Sequence, residues 1–495
     1  MNMTGRVDPT PYLLVAERLH LQGENKEAIE FQRKAIELGA AGAAACLNLG
    51  VMQIAAGFVD EGIESYGKAL LLEPDFQQAL FNLGVVLRQQ GDHLTAIYCF
   101  RRVIELDPAC LNAYDSLCDC LIALKNYAAV AQTALQSINL DNGHANGYYH
   151  LGIACLEQNN LDGARTFLER AAALNADNNN IQNTLGLACL AGGELQRGWD
   201  LYERRWYKES MPMLLRRFDW PWWGGETGKV IFVWREQGIA DQIMFSSMLE
   251  ELAARSQKVI FACSKKLIRL MQRSLPGIQV LDLDDTLAMD AVKGIIEVQC
   301  ALGSLARWLR PEVASFPKAD HFLTPNPVRV AYWKNRLSSL GPERNVGICW
   351  RSGDMSGDRH WYCTRIEQWQ TIFSVPGVRF INLQYDECSA ELESARHHCG
   401  VTVHAFPEVD LFDDLDETAA LTRALDLVIT APTTAGILAA ALGVPVWMMI
   451  SGFEWQHLGT AENCWYSSLV SIHRQWDQPW ETILDQTAQR LADLN

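Results

Sequence analysis

Three short stretches of this sequence carry residue types whose spacing could do chemistry. The first is Arg235-Glu236-Gln237-Gly238-Ile239-Ala240-Asp241, where an apolar run that reads as a strand gives way to a helix. A carboxylate on such a turn is placed to take a proton from a hydroxyl. Asp241 serves either as that base or as a plain helix cap, because aspartate accepts bonds from the free amides of a helix start. Glu236 is the second candidate on the same turn. The second stretch is Pro432-Thr433-Thr434-Ala435-Gly436, at another strand-to-helix junction. Hydroxyls and unpaired amides at a helix N-terminus make an anion site, although threonine is also an ordinary N-cap. A position at the carboxyl end of a late strand favours a diphosphate. The third is Arg351-Ser352-Gly353, with Arg359 and Arg365 beyond it. Guanidinium groups neutralise a diphosphate when they converge, whereas isolated arginines are more often solvated.

Other stretches carry less. Asp282-Leu283-Asp284-Asp285 reads as a solvated loop more readily than as a metal site. Gly224-Gly225-Glu226-Thr227-Gly228-Lys229 precedes a strand where a phosphate loop would follow one, and Val230 stands where the hydroxyl should be. None of the 11 histidines has ligand spacing, so no metal and no cofactor is expected.

The elements that must hold these residues form two alternating sets. The first runs strand Lys229–Trp234, helix Asp241–Arg255, strand Lys258–Cys263, helix Lys265–Leu275, strand Ile278–Leu283 and a short run Gly294–Val298. After Pro325 and Pro327 the second set begins with strand Val346–Trp350 and helix Arg365–Phe373. It continues through strand Val378–Gln384, helix Ser389–Cys399, strand Thr402–Phe406 and helix Glu417–Leu425. Strand Leu427–Thr430, helix Thr433–Leu442, strand Val444–Ile450 and a terminal helix Trp480–Leu494 complete it. Such alternation predicts parallel sheets covered by helices, with ligands at the carboxyl ends of the strands.

The first two fifths of the chain are different. Small residues recur every 34 positions at Ala16, Gly50, Gly84, Cys118, Gly152 and Gly186. A second column reads Ala28, Gly62, Ala96, Val130, Ala164 and Gly198, and Tyr66, Phe100 and Tyr202 mark a third. Pro74 and Pro108 close the second and third units. Small residues let paired helices cross closely, and a fixed step of this length is the signature of the tetratricopeptide repeat. Stacked repeats bind extended segments on their concave face. Asn48, Asn82, Ser116, His150 and Thr184 fall at one point of successive first helices. They form either a row that holds the backbone of an acceptor polypeptide or an ordinary solvated face.

Composition sets the bounds. The chain has 495 residues, 49% apolar, enough for several cores. A formal charge of −17 argues against nucleic acid as a partner. Met1 to Pro11 lacks the pattern of a signal peptide, and no apolar stretch is long enough to span a bilayer. The 14 cysteines show no paired zinc spacing and read as reduced and mostly buried, which fits a cytoplasmic location.

Motif order adds a resemblance. Gly198-Trp199-Asp200-Leu201-Tyr202-Glu203-Arg204-Arg205-Trp206, Trp223-Gly224-Gly225-Glu226 and the Glu236–Asp241 turn come first. Val346–Trp350, Phe380–Gln384, Asp416–Leu421, Leu425–Ile429, Trp455, Trp465-Tyr466 and Arg474-Gln475 follow. In this order they resemble bacterial tetratricopeptide proteins fused to a glycosyltransferase-like domain. That domain looks like the GT-B fold of heptosyltransferases and, more distantly, of O-linked N-acetylglucosamine transferases. The resemblance implies an α-solenoid of tetratricopeptide repeats over 9–206, followed by an α/β GT-B-like pair of doubly wound domains over 207–325 and 326–495. It implies that Asp241 is the base, and that Arg351, Ser352, Gln384, Glu417, Thr433, Thr434, Ala435 and Gly436 bind a nucleotide-sugar donor. It departs from the family's usual residues at Pro432, Ile437, Glu417 and Ala240. The expectation is a metal-independent glycosyltransferase acting on a protein held by the repeats, flagellin being one example. The alternative is a non-catalytic adaptor with a degenerate transferase half.

Overall fold

The computed structural model describes residues 8–207, 218–355 and 357–494. Most of the Met1–Pro11 segment read for a leader lies outside them. Compact units divide after Cys155, into Met1–Cys155 and Leu156–Asn495. Among the described residues no helix is long and apolar enough to cross a membrane.

The first unit is an array of helical hairpins. Its pairs are Thr10–Leu21 with Asn25–Glu37, Ala43–Ala55 with Val59–Leu72, Gln77–Gln89 with His93–Leu106, and Leu111–Ala123 with Tyr127–Leu140. The small columns do what their period implies. A Cβ on Gly50 would lie 2.6 Å from the Tyr66 ring, one on Gly62 2.5 Å from Ile54, and one on Gly84 2.9 Å from Phe100. Tyr66 and Phe100 are buried against these glycines, so the aromatic column fills the space that the glycine column leaves. Helices Val59–Leu72 and His93–Leu106 end just before Pro74 and Pro108, where proline has no amide to continue the ladder.

The array continues with Ala145–Glu157, Leu161–Leu174, Asn179–Ala191 and Leu195–Tyr202, making twelve helices. In the second unit the last hairpins carry a groove of about 870 Å³ lined in part by Glu169, Gln182, Arg197 and Asp200. The final hairpin merges with the α/β core. Trp199 is 1% exposed and meets Tyr202, Trp455 and Trp465 edge-on at 5.8–6.4 Å. Its indole nitrogen donates to the Arg310 carbonyl at 2.8 Å.

Two parallel sheets follow. In the first, β1 (Val230–Trp234), β2 (Lys258–Cys263), β3 (Gln279–Asp282) and β4 (Val298–Ala301) lie in the order β3-β2-β1-β4. In the second, β5 (Arg344–Cys349), β6 (Val378–Asn382), β7 (Leu427–Thr430), β8 (Val446–Ser451) and β9 (Leu469–Arg474) lie in the order β6-β5-β7-β8-β9. The central strands are unbroken apolar runs because helices cover both faces; every residue of Val230–Trp234 is buried.

Several expected elements differ. The helix expected over Asp241–Arg255 is two, Ile239–Ser246 and Leu249–Arg255. The short run Gly294–Val298 holds the end of a 3₁₀ turn, Lys293–Ile295, and a strand begins at Val298. Thr402–Phe406 pairs only through a single bridge between His404 and Ile381. Arg365–Phe373 is a 3₁₀ turn, Ile366–Trp369, followed by the short helix Gln370–Phe373. The proline-bearing linker holds a helix of its own, Pro327–Ser338, capped by Asn326.

Candidate functional site

The carboxyl ends of β1, β5, β7 and β8 converge on one cavity of about 500 Å³. Gly238, Ile239, Ala240 and Met244 form one wall. Ser352, Arg359, Thr433, Thr434, Glu454 and Tyr466 stand among the residues of the other. Strand ends of two sheets thus meet across a cleft, as parallel topology favours.

Asp241 occupies the third position of helix Ile239–Ser246, behind the wall formed by Ala240. Its carboxylate accepts from the amides of Gly238 and of Asp241 itself, so it reaches back over the helix start as a cap does. Burial, reinforced by the neighbouring Glu236 charge, outweighs those bonds and pushes its pKa up to about 6. Cap and poised base are therefore both present in one side chain. The Asp241 charge also bears on Tyr466, whose hydroxyl is raised chiefly by burial. That hydroxyl is buried without a hydrogen-bond partner and borders the cavity.

Glu236 has a different setting. Arg205 donates to it from Nε at 2.7 Å and from Nη2 at 3.0 Å, and the Gly303 amide donates at 2.6 Å. Its side chain is 2% exposed. The bidentate pair ties the end of the helical array to β1, which makes Glu236 a structural counter-ion and leaves Asp241 the freer carboxylate.

At the second turn the helix is Thr434–Ala441, with Thr433 as its N-cap. Thr433 is buried, and its hydroxyl lies 2.9 Å from that of Thr430 and donates to the Cys349 thiol at 3.5 Å. Burial pushes that thiol up to about 12. Thr434 is the more open of the pair, and it stands between the main cavity and a smaller pocket of about 70 Å³. Ala435 lines only the smaller one. Gly436 faces the sheet: a Cβ there would lie 2.6 Å from Thr430 and 2.7 Å from Met448. It lets the helix lie close, so the free first-turn amides reach the strand ends.

The remaining expected donor residues separate into lining and support. Ser352 lines the cavity and accepts from Arg359 at 3.2 Å. Arg351 turns away, held by Glu391 and Asp386, and its Nε donates to Glu391 at 2.8 Å. Gln384 is buried beneath that loop, donating to the Arg351 carbonyl at 3.0 Å and to Asp386 at 2.7 Å. Glu417 accepts from Arg329 and from the Trp333 indole at 2.7 Å. Burial works against its ionisation, but these bonds hold the carboxyl below its ordinary range. It secures helix Leu415–Arg423 to helix Pro327–Ser338 and does not border the cavity.

Arg359 supplies the cavity's own guanidinium, and Tyr466 joins it together with Asn463 and Glu454, two residues that pattern reading passed over. Behind it, Arg474 is buried, its Nε donating to Ser451 at 2.9 Å. The wall segment 452–464 rests on the helical array. Glu157 accepts from the Phe453 amide at 3.3 Å and the Trp476 indole at 3.1 Å. Gly459, at φ +78°, approaches Gly193 so closely that a Cβ would sit 2.8 Å from the Gly193 nitrogen.

The expected acceptor row is uneven. Asn48 is exposed, while Asn82 is half-buried and bonds the Tyr66 hydroxyl. Ser116 is half-buried, and His150 is buried with Nε2 3.3 Å from Asp119. Thr184, in the second unit, is half-buried.

Known proteins resemble this chain in two ways. Protein FlbA of Caulobacter vibrioides is 29% identical over 446 residues, covering 86% of this chain and 74% of that protein. A BBSome complex member BBS4 homolog of Drosophila melanogaster is 24% identical over 163 residues, 33% of this chain and 32% of its own. Among solved structures, YrrB, described as a TPR protein with an unusual peptide-binding site, is 24% identical and covers 34% of this chain and 88% of its own, with a TM-score of 0.32. A tetratricopeptide repeat protein from Parabacteroides merdae is 14% identical, covering 50% of this chain and 89% of its own, with a TM-score of 0.38. The tetratricopeptide repeat family matches residues 78–110 and 149–212, so the helical array of this chain is built of tetratricopeptide repeats.

Proposed function

We propose that this chain is a GT-B-like glycosyltransferase that moves a sugar from a nucleotide-sugar donor to a protein held by the repeats. The observation that carries the reading is that two helix starts face one cleft between two parallel sheets, the Gly238–Ala240 turn with Asp241 directly behind it and the free first turn at Thr434. A base of pKa about 6 is ionised near neutrality yet still accepts a proton readily. Asp241 takes the acceptor's proton as its oxygen attacks the sugar carbon. The amides of the Thr434 turn, the Thr434 hydroxyl and Arg359 take up the charge of the departing diphosphate. The buried Arg474 adds positive potential behind Ser451. Arg351 and Gln384 shape the loop that presents Ser352, and Glu417 holds the helix beside it. Asn48, Asn82 and Ser116 offer hydrogen bonds to an extended acceptor such as flagellin.

The adaptor reading draws on Arg351, whose guanidinium is already committed to two carboxylates. A panel of nucleoside diphosphates separates the two. On the transferase reading at least one raises the melting temperature of the chain, and Thr434→Glu, which places a carboxylate in the anion site, abolishes that shift. Thr434 is chosen because Thr433 is buried and its loss would disturb Cys349. A chain that none of the nucleotides stabilises is an adaptor.

A further inference from the structure

Beside the cavity, three side chains from two separate segments come together. Glu454 and His457 lie in the 452–464 segment, and His473 lies on edge strand β9. Their ligand atoms all fall within 4.8 Å of one another. Glu454 Oε2 stands 3.2 Å from Nε2 of His457 and 3.6 Å from Nε2 of His473. A metal with bonds of about 2.0–2.2 Å to nitrogen and oxygen in a tetrahedral shell sets its donors roughly 3.3–3.6 Å apart. The two separations from Glu454 are therefore close to those of a coordination shell, and the two imidazole ligand atoms lie within 4.8 Å of each other.

A second observation points the same way. Glu454 is 9% exposed in its side chain, and its Oε2 is buried with no hydrogen bond of good geometry, although both imidazoles are near. An ionised carboxylate oxygen there needs a cation facing it, which either a protonated imidazole or a bound metal ion supplies. The backbone presents His457 firmly: the next residue, Leu458, is fully buried and takes a positive φ of 53°. His473 is 38% exposed, which gives solvent access to the cluster. Ser471 Oγ, two residues before it on the same strand, is in hydrogen-bond contact with Nε2 of His457 at 3.3 Å, a contact that the metal would replace.

We propose that Glu454, His457 and His473 bind a divalent transition metal of the zinc class, one carboxylate and two neutral imidazoles leaving the fourth position to water. Such a donor set suits zinc, with two nitrogens and one oxygen, and disfavours magnesium and calcium, which take oxygen. The metal pins the 452–464 segment to β9. Because Glu454 also borders the cavity, the ion fixes the position of that wall. The site is independent of the transferase reading and would serve an adaptor as well.

The test uses the untagged full chain stripped with a chelator and then titrated with zinc chloride by calorimetry. One equivalent should bind and raise the melting temperature, while magnesium does neither. His457→Gln and His473→Gln should each weaken zinc binding at least about ten-fold. His473 is exposed and His457 half-buried, and circular dichroism of the metal-free variants checks that both fold. Cobalt replacement should give a tetrahedral ligand-field spectrum without a thiolate charge-transfer band. Equal zinc binding by the double histidine variant overturns the proposal, and so does a thiolate band that persists in it, which would place the metal on cysteines. Failure of the wild-type chain to bind zinc overturns it outright.

Discussion

Asp241 is pulled in two directions by its surroundings. Its folded pKa of about 6 lies above the ordinary 3.8, so the folded chain holds the proton more tightly than the unfolded chain. The stability gained is complete below the unfolded pKa and is lost as pH rises through about 6. Near neutral pH the ionised carboxylate thus costs on the order of 3 kcal/mol. Asp241→Asn should raise the melting temperature near neutrality and leave it unchanged at about pH 4. On the transferase reading the same variant should bind donor and lose transfer by roughly 100-fold or more. Wild-type transfer should fall off below about pH 6. A melting temperature that shifts equally at both pH values would show that Asp241 does not titrate in this range. Tyr466 provides the companion measurement. Its unpartnered hydroxyl is free to donate to a ligand, so Tyr466→Phe should weaken donor binding with little loss of stability, by up to about ten-fold for one neutral hydrogen bond. Undiminished binding would mean that the hydroxyl faces only the protein.

Among the elements, the repeat helices make the sharpest contrast. Gly50 and Gly67 lie in the two helices of one hairpin, yet a Cβ at Gly50 would press into the Tyr66 ring while one at Gly67 meets nothing within 4 Å. Gly50→Val should destabilise the array by about 1–3 kcal/mol through overpacking. Gly67→Ala should stabilise it by about 0.5–1 kcal/mol through helix propensity. Urea unfolding followed by circular dichroism measures both; equal effects would mean that the column is not a packing contact. The period made that contact legible, because a step of 34 residues repeats one packing geometry in every unit. Strands were legible where both faces are buried: Lys258–Cys263 and Leu427–Thr430 fall where their apolar runs lie. Thr402–Phe406 mixes polar and apolar residues instead, lies beside the edge strand β6 and makes one bridge only. Strand β9 escaped notice because Leu469-Val470-Ser471-Ile472-His473-Arg474 is half polar, as suits a sheet edge. Within the site, the turns carrying Asp241 and Thr434 could be read from strand-to-helix junctions. The partners of Arg351 and Glu417 could not, because Glu391 and Arg329 reach them from other elements. Glu454, His457 and His473 meet only once β9 is laid beside β8, so no spacing along the chain announces them.

At the scale of the molecule, the packing does not part where the repeat period stops. Trp199, Tyr202 and Leu195 belong to the same core as Phe245, Trp465 and Leu458. Arg205 pairs with Glu236 at the end of β1. A fragment beginning at Ala145 should therefore fold and keep any nucleotide-induced stabilisation. One beginning at Tyr207 should be unstable, since it exposes that core and leaves Glu236 buried without its cation, a loss of about 3–5 kcal/mol. Thermal melts of the two fragments decide this, and a stable Tyr207 fragment would show that the last hairpin is dispensable.

The contact between Gly193 and Gly459 has one more consequence. It joins the hairpin that bears the 870 Å³ groove to the wall of the 500 Å³ cavity, with Glu157 as a second tie. Anything that binds the groove and favours one setting of that hairpin must shift the free energy of whatever binds the cavity. Linkage makes the effect reciprocal and equal in size. If a peptide tightens nucleotide binding three-fold, the nucleotide must tighten peptide binding three-fold. Gly459→Val, which forces the two backbones apart, should bring both factors to one together. Two titrations, each repeated at saturation with the other ligand, measure both factors, and a coupling that persists undiminished in Gly459→Val would mean that the ligands do not communicate through this contact.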